Sequence, residues 1–305
     1  MPIHKLKMSK SKILHDLITT KSIIKVGGAF DAMSAKLVEL SGFDAVWAGS
    51  FAISATHGLP DASILTMTEF LNVTSNMNDS CQIPIIADCD TGFGGPSNVE
   101  HMVKKYEKAG IAAISIEDKV FPKQNSLLET GTHELLSEKD FVAKIISAKN
   151  AKQDPNFMII ARIEALIANL GIDEAIKRAT AYEMAGADAI IIHSKKNTPD
   201  EIFEFTEKWN GTIPIVAIPT TYGSVTIDEL ISHKIKFVIF ANHSLRASHL
   251  AMSKILDEII QSTSLSGVNT KISSMEDIFR VQKMYDIKTQ EIEIEEKLKK
   301  LGYID

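Results

Sequence analysis

Carboxylates, one arginine and one histidine have the types and spacing to do chemistry in this chain. Asp88 and Asp90 stand two apart in DCDTGFGG, Glu117 ends the apolar run IAAISIE, and Asp61 lies in an earlier loop. This is an all-oxygen set with no cysteine–histidine ligand spacing, so it suits Mg²⁺, with Mn²⁺ as a substitute, better than Zn²⁺. Arg162 stands near the end of the run FMIIARI and Glu164 follows it, and His193 and Ser194 end DAIIIHS. An arginine fork beside an imidazole can hold phosphate or carboxylate. Blander roles exist for each residue. Asp88 and Asp90 could merely cap a glycine turn, as aspartate often does. Arg162 could pair with Glu164 or Glu117, which is compatible with anion binding, and His193 could be a satisfied core side chain. As a set, they suggest a small dianion bound between a metal and two cations.

These residues need elements to position them. Eight short apolar runs, at 23–30, 43–50, 84–90, 111–117, 157–163, 188–194, 214–219 and 237–242, read as strands buried on both faces of a parallel sheet. Amphipathic stretches such as NVEHMVKKYEKAG and DEAIKRATAYEMAG lie between them and carry helix-cap chemistry at both ends. Eight β/α alternations predict an α/β fold, a (β/α)₈ TIM-type barrel. An open doubly wound sheet is the alternative. In such a barrel the chemistry sits at the C-terminal ends of the strands, which here also present Trp47, Asn242 and His243. The strand interiors carry almost no ionisable residues, and concentrating charge at one end is costly unless a ligand uses it.

A long loop after the fourth strand, EDKVFPKQNSLLETGTHELLSEKDF, reads as a lid whose Lys119, Lys123 and Asn125 could close over an anion. The glycines of GFGG (92–95) fit neither nucleotide-loop fingerprint and read as a flexible turn. Cys89 should point away from the two aspartates, into packing. The barrel with an N-terminal helix is assigned to residues 1–262, ending in a helix over 244–262. Residues 263–305 form a helical extension, part of the same domain or an oligomer interface.

The 305 residues carry 33 Lys+Arg against 39 Asp+Glu, a net charge of −6 that lacks the basic footprint of a nucleic-acid binder. Two cysteines cannot make a disulfide framework, so a cytoplasmic location is expected. The basic start MPIHKLKMSKSKILHDL lacks a signal peptide's apolar run, and no segment reaches the length of a membrane span.

The stretches GAFDAMSAKLVE, DCDTGFG, IEDKVFPKQNSLL, IIARIEALIANLG, AGADAIIIHSKK and ANHSLRA together closely resemble the phosphoenolpyruvate mutases of the isocitrate lyase/phosphoenolpyruvate mutase superfamily, from about Val26 to Val281. The resemblance implies a (β/α)₈ barrel whose last helix is exchanged between subunits of a dimer or tetramer. It also implies interconversion of phosphoenolpyruvate and phosphonopyruvate. Asp88 would be the direct Mg²⁺ ligand, with Asp61, Asp90 and Glu117 holding its waters. Arg162 and His193 would bind the phosphoryl group, and Lys123 and Asn125 would come from the closing loop. Trp47, Gly49, Ser50, Ser126 and Asn242 would surround the substrate, and Asp61 is a candidate nucleophile.

Two departures stand out. The order in WAGSF transposes Gly49 and Ser50 relative to the family, so the substrate carboxylate should rely on main-chain N–H groups there. Ser244 stands where the family often has Asn. The rival activity within the superfamily is phosphonopyruvate hydrolysis, whose enzymes tend to carry Thr at the position of Asn125. The C–C lyases use a loop cysteine that DKVFPKQNS lacks. A catalytically inactive barrel would have lost Asp88, Arg162 or His193, and all three are present.

Overall fold

The computed structural model describes residues 8–131 and 133–304. Residues 1–7, which open the basic N-terminal stretch, and Thr132 in the long loop lie outside the described residues. Eight parallel strands close in sequence order into a barrel: β1 Ile24–Ala29, β2 Ala45–Ala48, β3 Ile85–Asp88, β4 Ala113–Glu117, β5 Met158–Ile163, β6 Ala189–Ile192, β7 Ile215–Ala217 and β8 Ile235–Phe240. The barrel expectation holds, and the open-sheet alternative falls on the β1–β8 pairing.

The helices begin with α1 Lys10–Thr20, α2 Ala32–Leu40, α3 Ser50–Thr56, α4 Met67–Ser80, α5 Pro96–Lys108, α6 Glu138–Ala151 and α7 Gly171–Met184. They continue with α8 Asp200–Lys208, α9 Ile227–Ser232, α10 His243–Gln261, α11 Ser266–Asn269, α12 Met275–Gln282 and α13 Met284–Lys300. Local chemistry sets several starts. Thr66 with Glu69 and Thr226 with Glu229 form reciprocal caps that satisfy the first free N–H groups of α4 and α9.

Two apolar clusters show which way each strand faces. Ile24, Val26, Ala45, Trp47, Ile86, Ala113, Met158, Ile160, Ala189, Ile191, Val216, Phe237 and Ile239 pack together in the barrel interior, with Leu14 of α1 against them. Their neighbours Val46, Ile85, Ile114, Ile159, Ala161, Ile190 and Ile192 join the larger cluster under the helices. A period of two therefore carries the interior rows Ile86–Asp88, Ala113–Ser115–Glu117, Ile160–Arg162 and Ile191–His193 from apolar to polar at the same end. Cys89 is buried in the outer cluster, as alternation requires.

The chain divides into two compact units, Met1–Leu245 and Arg246–Asp305. The division falls within α10, His243–Gln261, whereas the 262/263 boundary expected from sequence lies just beyond that helix's end. In the second unit Val268 is the one buried residue among those described. Leu250, Met252, Leu256, Ile260, Met275 and Ile294 are exposed.

Candidate active site

Strand register brings the interior side chains together. Asp88 lies level with Ser115, and Glu117 with Arg162. Trp47, Gly49, Ser50, Asp61, Asp88, Lys123, Asn125, Ser126, Arg162, His193 and Asn242 line one cavity of about 180 Å³. Of the residues expected at the site, Asp90 and Glu117 sit behind this lining, fully buried.

The carboxylate side is built around Lys123 of the long loop. Its Nζ stands 2.9 Å from Asp61 Oδ1 and 2.8 Å from Asp90 Oδ1, and it donates to Ser50 Oγ at 3.1 Å. Ser50 in turn donates to Asp88 Oδ2 from its hydroxyl at 2.9 Å and from its backbone N–H at 3.3 Å. That N–H, expected for a substrate carboxylate, is therefore already engaged. Asn125 Nδ2 donates to Asp61 Oδ2 at 2.8 Å, and Asn125 Oδ1 accepts from Leu127 N at 3.0 Å, which fixes the amide.

Burial pushes the Asp90 carboxyl up, with Lys123 pulling the other way. Burial also lifts Glu117 to about 7, against the opposing pull of Arg162 and Lys123. Burial would lower Lys123, but Asp90, Glu117 and Asp61 outweigh it and hold the ammonium well above its usual range. Glu117 Oε1 and Asp90 Oδ2 make no hydrogen bond within the protein. Among the described residues no three Asp, Glu, His or Cys side chains are placed to ligate one ion directly.

The opposite side is built around Glu164, which has no exposed surface. Its carboxylate accepts from Arg162 Nε at 2.6 Å and from Ser126 Oγ at 2.5 Å, with Lys119 Nζ 3.3 Å away. His193 Nδ1 lies 2.9 Å from Glu164 Oε1 and 2.9 Å from Arg162 Nη2. Nδ1 can serve only one of these partners, and either choice leaves Nε2 for a ligand. Burial lowers His193 and so favours the neutral ring. Burial would raise Glu164, but Arg162, His193 and Lys119 together hold it well below the usual carboxylate range. Arg162 pairs with both Glu164 and Glu117, the latter at 3.4 Å. It still borders the cavity, so the structural pairing and the anion-facing position coexist.

Two sequence readings need correction. The glycine-rich turn is constrained rather than loose. Asp90, Gly92, Phe93 and Gly94 all take positive φ, Asp90 O accepts from Glu117 N at 2.8 Å, and Lys144 Nζ donates to Thr91 O at 2.8 Å. Lys119 does not face the cavity; its Nζ turns back onto Gln124 O and Ser126 Oγ. From sequence alone Glu164 reads as a simple ion-pair partner, whereas in the structure it joins Arg162, His193, Ser126 and Lys119. Its spacing of two from Arg162, past the strand end, was the available signal. Asp118 is equally buried: it accepts from Glu164 N, Arg178 and Tyr182 and so anchors the end of β5.

No helix among the described residues is long and apolar enough to cross a membrane, and both cysteines are free and buried.

The sequence profile of the phosphoenolpyruvate phosphomutase family matches residues 14–260. The chain is 40% identical over 273 residues to phosphoenolpyruvate phosphomutase of Tetrahymena pyriformis, covering 90% of this chain and 91% of that one. It is also 40% identical over 276 residues to phosphonopyruvate hydrolase of a Variovorax species, covering 90% and 95%. Among solved structures, phosphoenolpyruvate phosphomutase from Streptomyces platensis subsp. rosaceus superposes with a TM-score of 0.91 at 42% identity, over 93% of this chain and 98% of that one. A phosphonopyruvate hydrolase complexed with oxalate and Mg²⁺ superposes with a TM-score of 0.88 at 38% identity, over 93% and 99%. On these matches and on the closed barrel, the chain belongs to the phosphoenolpyruvate phosphomutase family and is an enzyme.

Proposed function

We propose that the chain interconverts phosphoenolpyruvate and phosphonopyruvate by moving one phosphoryl group within the bound molecule. The observation that carries this reading is the cavity itself, with Arg162 and His193 on one wall, Asp88 and Asp61 on the other, and Lys123 and Asn125 set in the lid between them.

The residues fit Mg²⁺. Asp88 would hold the ion directly, and Asp61, Asp90 and Glu117 would take its waters. Mg²⁺ usually keeps several waters and needs few direct protein ligands. The orphaned oxygens of Asp90 and Glu117 are acceptors for such waters. When bound, the ion supplies charge stabilisation to the enolate oxygen.

The remaining steps belong to the protein. Arg162 holds the phosphoryl oxygens together with the Nε2–H of His193, in the tautomer whose Nδ1 accepts from Arg162 Nη2, while Asn125 and Lys123 bound the space above them. The bond from phosphorus to the enol oxygen breaks and its electron pair stays on that oxygen. The enolate then attacks phosphorus through C3, and no proton is gained or lost. A loose transfer of this kind needs positioning and charge stabilisation rather than a strong base. Asp61 as a transient nucleophile is the variant of this route, and its contacts to Lys123 and Asn125 suit an orienting role better.

Excluding water separates this activity from hydrolysis, the second reading, since the chain is 40% identical to the Variovorax hydrolase and to the Tetrahymena phosphomutase alike. Asn125 supports the mutase, because its amide is clamped to Asp61 and Leu127 over the cavity. The test is ³¹P NMR with phosphonopyruvate and Mg²⁺. A phosphoenolpyruvate signal lost in Asp88→Ala supports the mutase, whereas an inorganic phosphate signal formed without it supports the hydrolase.

We further propose a cytoplasmic homo-oligomer, dimer or tetramer, with the C-terminal helices exchanged between copies. The exposed apolar side chains of the second unit support a covering partner, and the free cysteines suit a reducing compartment. Sedimentation that returns a single chain's mass would count against the oligomer.

A further inference from the structure

Lys119 is buried, ionisable and unused by the chemistry above. It has 1% exposure, yet it does not border the cavity. It sits where the lid leaves the barrel. Val120 N donates to Glu134 O, Leu136 N donates to Asp118 O, and Lys119 bridges Leu135, so the two stems of the loop form a short antiparallel ladder. From this stem the Lys119 side chain reaches into the crown. Its Nζ donates to Gln124 O at 2.9 Å and Ser126 Oγ at 2.6 Å and faces Glu164 Oε2 at 3.3 Å.

The two atoms it grips belong to the segment that supplies the site. Gln124 lies between Lys123 and Asn125, and its carbonyl is the one Lys119 holds. Ser126 Oγ accepts from Lys119 and from Arg162 Nη2 at 3.1 Å, and it donates to Glu164. One ammonium thus ties the lid's working segment to the carboxylate that orients Arg162. An ammonium without exposure is costly unless charge and hydrogen bonds meet it. Here all three of its directions are met only while the lid lies down; lifting the segment would strip Lys119 of Gln124 O and Ser126 Oγ together.

We infer that Lys119 is a positioning residue: it latches residues 123–126 over the cavity and couples lid closure to the Glu164–Arg162 pair. It touches no substrate.

The test is Lys119→Met in the full-length protein, read first by hydrogen exchange and mass spectrometry without substrate. Peptides spanning 120–131 should exchange at least about tenfold faster than in the wild type, while peptides in β4 and β5 keep their protection. Unchanged exchange in the lid would overturn the inference, and so would an equal loss of protection throughout the barrel. Ser126→Ala, which removes the shared hydroxyl and leaves Lys119 charged, should also release the lid. It keeps the test decisive if Lys119→Met does not fold, and unchanged lid exchange in Ser126→Ala would then overturn the inference.

The second readout rests on the proposed phosphoryl transfer. In Lys119→Met the ratio of pyruvate plus phosphate to phosphoenolpyruvate should rise at least about fivefold, because a raised lid admits water. A defect confined to stability would lower both products alike, and that outcome would overturn the inference. If the wild type forms no phosphoenolpyruvate, the functional reading fails, whereas the exchange comparison still decides the latch.

Discussion

Replacing Glu164 with glutamine keeps the side chain's shape and removes one buried negative charge. That charge is shared by Arg162 at 2.6 Å and Lys119 at 3.3 Å, in a place with no exposed surface. Screening by solvent is therefore minor. Breaking a buried ion pair by removing one partner costs about 3–5 kcal/mol. Glu117 stays 3.4 Å from Arg162. Glu164 itself helps keep the Glu117 carboxyl high, so its loss lets Glu117 ionise more readily. That compensation puts the expected loss near the lower end, about 3 kcal/mol, or a fall in Tm of roughly 6–12 °C for a domain of this size.

The pH dependence gives this prediction its sign. Glu164 is held well below the usual carboxylate range when folded. Its contribution is thus fully present above the unfolded value near 4.5 and is lost as pH falls from there toward the folded value. Glutamine has no such limb. Urea melts of wild type and Glu164→Gln should differ most at neutral pH, and the gap should narrow below pH 4.5. A loss under about 1 kcal/mol at pH 7, or a gap that does not narrow in acid, would refute the view of Glu164 as the charge centre of the anion-binding wall.

Three further outcomes follow from the geometry. Asn125→Thr shortens the side chain and breaks the clamp to Asp61, so ³¹P NMR should show a larger share of inorganic phosphate relative to phosphoenolpyruvate; an unchanged share would remove Asn125 as the water-excluding group. Glu117, lifted by burial to about 7, favours its neutral form when folded, so its contribution is present in acid and lost as pH rises through 7. The thermal shift produced by Mg²⁺ should therefore grow between about pH 6 and 8, and a pH-independent shift would sink the assignment of Glu117 to the metal side. In Gly28→Ala the new Cβ would meet Ala241 O at 2.0 Å. Strand β1 is pinned between β2 and β8 and cannot retreat, so denaturation should show a loss of about 3 kcal/mol or more, and wild-type stability would refute the packing argument.

What the sequence could and could not reveal divides along a physical line. Strand residues are legible because a period of two fixes their direction. Once Ile160 and Ile191 face the barrel interior, Arg162 and His193 must follow them to the top of the same rows, and the structure places them there. The barrel count is legible for the same reason, since apolar runs buried on both faces leave few other architectures. Loop residues obey no such rule. Phe93 takes positive φ, which its residue type does not announce, and the turn that it shares with Asp90 presents the Asp90 carbonyl to Glu117 N. Lys119 and Lys123 are four residues apart on one loop, and composition gives them the same role. The structure separates them: Lys123 enters the carboxylate set, and Lys119 folds back to hold the loop that carries it. Charge type can be read from a chain, but the partner of each charge cannot, because buried pairing is decided by distances of an ångström or two between segments far apart in sequence. Glu164 illustrates the point. Its charge was visible from the start, and its importance lies wholly in which four side chains converge on it.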